Sequence, residues 1–134
     1  MTANQVFLGF SVLVWLGYGT YCFFVPSVVS EGAGFVATTP TATTELRAMY
    51  GGLQMALGAM ALMALRNETW VKPALFGLAS VAIGLFCARL AGAFLDSGFS
   101  LYTNGALGFE FIAGFWALAL LKRTNEHENR PSVS

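Results

Sequence analysis

A chain of 134 residues is one domain by length, and it is 56% hydrophobic and only 10% charged, with a mean hydropathy of +0.64. A soluble domain needs roughly 25% charged residues to cover its surface, so this composition excludes an ordinary water-soluble fold and requires lipid contact. Seven Lys and Arg balance seven Asp and Glu, which leaves no basic arm for nucleic acid.

The first apolar run begins directly after MTANQ, which carries no Lys or Arg, and stays uncharged to Ser30. The apolar region of a signal peptide is only about 7–15 residues long, and no small-residue cleavage site comes after this run, so a retained span is expected. A hydrocarbon core about 30 Å thick needs roughly 20 apolar residues in a helix. Four segments meet that length: 5–25, stopped by Pro26; 45–65, stopped by Arg66-Asn67-Glu68; 73–95, with Pro73 in its first turn; and 101–121, ending at Lys122-Arg123. The expected fold is all-α, an antiparallel bundle of four transmembrane helices in residues 1–123, with a polar, mobile tail over 124–134.

The longest connection, 26–44, has no helical period and reads as a loop. Thr43 or Thr44 is expected to cap the second span, with Glu45 in its first turn facing the positive end of the dipole. Lys and Arg in short connections set orientation. Arg66, Lys72, Lys122, Arg123 and Arg130 stand at one end, against Arg47 and Arg89 at the other. That bias predicts both termini on the cytoplasmic side. Tyr18, Tyr21, Tyr50 and Tyr102 then fall at the outer boundary, where amphipathic rings prefer to sit, and Trp70 at the inner one.

A polar layer emerges at one depth. Arg89 lies six residues inside the outer end of span three, about 9 Å deep at 1.5 Å per residue, and Glu110 lies at a similar depth in span four. Glu45 and Arg47 sit at the mouth of span two and Asp96 at the exit of span three. An ionisable group at mid-span costs about 2.5–3.5 kcal/mol on insertion scales, so such groups face protein and find partners. At 100° per residue, Arg47, Gly51, Gln54, Gly58 and Ala61 share one stripe of span two, and Thr103, Ala106, Glu110, Gly114 and Ala117 one of span four. Gly77, Gly84, Ala88 and Gly92 make a third stripe, beside the face with Arg89 and Asp96. Small residues let membrane helices approach closely, so Gly51, Gly58, Gly84, Gly92 and Gly114 are expected packing positions. The simpler reading of the layer is a structural ion pair, Glu110 with Arg89 or Arg47. The sharper one is a ligand site with two guanidinium groups near one carboxylate.

Three stretches carry a resemblance. TTPTATTELRAMYGGLQMALG over residues 38–58, GLFCARLAGAFLDSG over 84–98 and GFEFIAG over 108–114 resemble the bacterial family of short four-span proteins named domain of unknown function 4345. The resemblance implies a four-helix protein of the bacterial inner membrane. It points to Glu45, Arg47, Tyr50, Gly51, Gly52, Arg89, Gly92, Asp96 and Glu110 without assigning them chemistry.

The remaining residues argue against most catalysis. His127 is the only histidine and stands in the polar tail; Cys22 and Cys87 make neither a metal spacing nor a disulfide framework. No Ser or Cys nucleophile has a His base, and no glycine-rich loop opens a helix to cradle phosphate. No catalytic residue, metal or cofactor is therefore expected. The first functional expectation is a structural or accessory protein in the bilayer, packing as a homo-oligomer or in a larger membrane complex. The second is a carrier or binder of a small anionic or lipid-like ligand at Glu45, Arg47, Tyr50, Gln54, Arg89, Asp96 and Glu110. An enzyme acting on a lipid-soluble substrate ranks third.

Overall fold

A computed structural model describes residues 1–128, with side chains through Glu126. All regular structure among them is helical. Four helices are long and apolar enough to cross a membrane: α1 (Ala3–Phe24), α3 (Pro40–Arg66), α4 (Val71–Leu95) and α5 (Leu101–Glu128). The chain is a small four-span membrane protein. Leu13, Phe76 and Ile112 are exposed large apolar side chains of the kind that only lipid satisfies.

Three boundaries differ from the expectations. The connection after Pro26 is not all loop: Ser27–Ala33 forms a short helix, α2, closed by Gly34 at φ 77°. A left-handed residue ends a helix most cheaply when it has no Cβ. Helix α3 starts at Pro40 rather than Glu45, because Thr39 caps it. The Ala42 N–H donates to Thr39 Oγ1 at 3.1 Å, and Pro40 fills the first helical position. Thr43 and Thr44 do not cap; their hydroxyls donate back to the Thr39 and Pro40 carbonyls at 3.3 and 2.9 Å. Helix α5 runs past Leu121 into the expected mobile tail, because nothing there breaks it. Asn4 Nδ2 donates to Thr124 Oγ1 at 3.2 Å, tying its end to the start of α1, and Lys122 pairs with Glu126 at 3.9 Å. The His127 side chain and Arg130 lie outside the described residues.

The helices form two hairpins. α1 packs along α3 and α4 along α5, and the hairpins meet through α3 with α4 and through the first turns of α1 with α5. Glycine sets the closest approaches. A Cβ on Gly58 would overlap the Leu16 backbone, and one on Gly51 would stand 2.8 Å from Phe23 Cβ, so α1 and α3 touch nearly backbone to backbone. A Cβ on Gly114 would meet Ile83 Cγ1 at 2.8 Å, which draws α4 onto α5. Gly84 and Gly92 do not share that role, since nothing lies within 4 Å of where their Cβ atoms would stand.

Core packing is uneven along the bundle. Phe7, Leu8, Leu57, Ala61, Leu75, Leu78, Ala117 and Leu120 close the half nearer the termini. The other half, nearer the connections 25–39 and 96–100, has only a satellite cluster of Cys22, Val29 and Leu46. Between the hairpins there the core is replaced by a hollow.

Candidate functional site

Arg89 on α4 and Glu110 on α5 come from opposite arms of one hairpin and meet at the same level. Arg89 Nε donates to Glu110 Oε1 and Oε2 at 3.0 and 3.1 Å, and Nη2 donates to Oε1 at 2.7 Å. The Glu110 side chain is 4% exposed and that of Arg89 is 25% exposed. Away from water, a guanidinium and carboxylate attract strongly, and the fork geometry holds the carboxylate by both oxygens. The pair is electrically closed within the chain.

Arg47 takes no part in it. Its Nε donates to the Phe23 carbonyl at 3.0 Å, where α1 ends and its last carbonyls lack partners in the helix. Glu45 is exposed on α3, and Asp96 is the exposed residue that closes α4, with no hydrogen bond or ion pair to Arg89. The structure thus unites Arg89 and Glu110 and leaves Glu45, Arg47 and Asp96 apart from them.

Tyr50 and Gln54 do join the pair, across a cavity of about 630 Å³ between the hairpins. Trp15 and Tyr18 of α1, Tyr50, Gln54 and Leu57 of α3, Val81, Leu85 and Arg89 of α4, and Tyr102, Phe109 and Glu110 of α5 all line it. Most of the wall is apolar. Trp15 and Phe109 stack obliquely, with ring centroids 5.8 Å apart, between it and the packed half. The volume lies inside the roughly 300–1,000 Å³ common for small-molecule sites.

Local backbone shape turns two of these walls inward. α1 widens to a π-helical stretch at Val12–Tyr18 and α3 does the same at Arg47–Gly52. Val14, Trp15 and Tyr18 come from the first stretch, Met49 and Tyr50 from the second, and all five line the cavity. Such wide turns leave a helix poorer in ideal hydrogen bonds and gather at functional sites.

Tyr18 and Tyr102 are cavity residues that belt-residue reasoning places only at the membrane boundary; Tyr21 alone of the four tyrosines stays off the cavity wall. Four hydroxyls at one level were the available signal, since a ring of polar tips suits an internal site as well as an interface. Among the described residues, the Tyr50 and Tyr102 hydroxyls, the Gln54 carboxamide and Arg89 Nη1 make no hydrogen bond to the rest of the chain.

The sequence profile of the family described as Domain of unknown function (DUF4345) matches residues 3–121. Neither curated proteins nor solved structures give a match.

Proposed function

We propose that the chain, which belongs to the DUF4345 family, binds or carries a small lipid-soluble molecule in the cavity between its hairpins. One observation supports this over a purely structural role. A well-packed accessory bundle has no use for a 630 Å³ hollow, and the half-buried Gln54, Tyr50 and Tyr102 in its wall keep polar tips open to an incoming molecule. The Arg89–Glu110 pair then acts as a brace, holding α4 and α5 so that the wall keeps its shape.

Ala106 is small and lines the cavity one helical turn before Glu110, so Ala106→Phe fills it from α5 while leaving both members of the ion pair in the chain. Purified wild-type protein is expected to retain a small molecule on native mass spectrometry in mild detergent. Ala106→Phe should lose it while melting within a few degrees of wild type. Wild-type protein that stays empty after gentle extraction from its own membrane would overturn the reading.

The membrane is taken to be the bacterial inner membrane with both termini cytoplasmic, supported by Arg66, Lys72, Lys122 and Arg123 at the terminal end. The cavity then opens in the outer leaflet. Alkaline phosphatase fused to the C-terminus should be inactive; an active fusion would reverse the orientation.

A further inference from the structure

Resting on the ligand-binding reading, we infer that the cavity selects a neutral molecule bearing a carbonyl oxygen, and discriminates against anions. The reason is charge balance. Arg47, bonded to the Phe23 carbonyl, is not in the cavity wall, and Arg89, which is, already pairs with a carboxylate that is 4% exposed. A bound anion would bring a second negative charge beside Glu110, with one guanidinium between them and little water to screen either. At Arg89 Nη1 it would share one guanidinium with Glu110 and leave the group of three with a net negative charge.

The polar groups that remain are mostly donors. Arg89 Nη1 offers N–H groups whose charge Glu110 already neutralises, and the Tyr50 and Tyr102 hydroxyls and the Gln54 amide can each donate. A ketone or ester oxygen accepts two such bonds and adds no charge. The rest of the molecule meets Trp15, Leu57, Val81, Leu85 and Phe109, which suit an alkyl chain or ring. Donors offered from α3, α4 and α5 into a mostly apolar wall describe a ligand with a polar group on an apolar body.

Two tryptophans make the selectivity measurable. Trp15 lines the cavity and is 6% exposed, whereas Trp116 is 38% exposed and off the cavity wall. A protein keeping only Trp15 (Trp70→Phe, Trp116→Phe) reports occupancy of the cavity, and one keeping only Trp116 reports partition into the surrounding lipid. The probes share one chain: a chain-brominated fatty acid held ionised at alkaline pH, its methyl ester, and the brominated alkane. Bromine quenches an indole it touches.

The ester should quench Trp15 saturably, with half-saturation at least about tenfold below that of the ionised acid, and all three should quench Trp116 without saturation. Gln54→Leu should weaken the ester about fivefold at Trp15 and leave the alkane unchanged, as loss of one hydrogen bond predicts. An ionised acid that binds Trp15 as tightly as the ester overturns the neutral-ligand inference and leaves the cavity a binding site. An ester and an acid that both quench Trp15 no better than the alkane removes the carbonyl selection in the same way. Absence of saturable Trp15 quenching by every probe overturns the binding reading itself.

Discussion

Arg89→Met is expected to destabilise the bundle by about 3–5 kcal/mol, the range for stripping one partner from a buried ion pair. It leaves the Glu110 carboxylate enclosed by α4 and α5 with its three hydrogen bonds gone. Glu110→Met should cost less, because Arg89 is a quarter exposed and its long stem can carry the guanidinium outward to water or headgroups. The double variant removes both charges and both unmet hydrogen-bonding groups together, so it should stand much closer to wild type than Arg89→Met does. Reversible unfolding in mixed micelles measures all three. A double variant whose loss equals the sum of the single losses would mean that the two residues do not depend on each other.

Gly58→Val should have the second large effect. A Cβ there overlaps the backbone nitrogen, Cα and Cβ of Leu16, so relief cannot come from turning a flexible side chain. Helix α1 must shift bodily from α3, and overpacking of this kind typically costs about 1–3 kcal/mol and sometimes more. Gly84→Val is the matched control, since its side chain enters space with no atom within 4 Å and should melt within a few degrees of wild type. Thermal unfolding in detergent separates the two; equal losses would show that β-branching in a membrane helix, and not the contact with Leu16, sets the penalty.

These contacts also mark how far the sequence alone reaches. Span number and type come from apolar run length, because lipid forces every backbone group into a helix. Helical depth places Arg89 and Glu110 at one level without saying which arginine the carboxylate takes. That choice depends on Phe23, whose carbonyl is left open by the end of α1 and claims Arg47 across twenty-four residues of chain. Glycine spacing shows where close approach is allowed, but not which glycine has a neighbour: Gly58 meets Leu16, and Gly92 meets nothing. The start of α3 is missed because Thr39-Pro40 competes with two other threonines that are equally plausible caps by type. The cavity is the least legible feature, since it is a gap between two well-packed hairpins and no local pattern encodes a gap.

The π-helical stretches bear on the geometry of the whole wall. An ordinary α-helix winding the same residues through Val12–Tyr18 would turn the first two turns of α1 by about 100° relative to its last two. Phe7 and Leu8 would then swing off the core while Tyr18 kept its place, or the reverse. The single wide turn is thus a phase adjuster. It lets one unbroken helix present a packing azimuth at its start and a binding azimuth further on, without a proline between them.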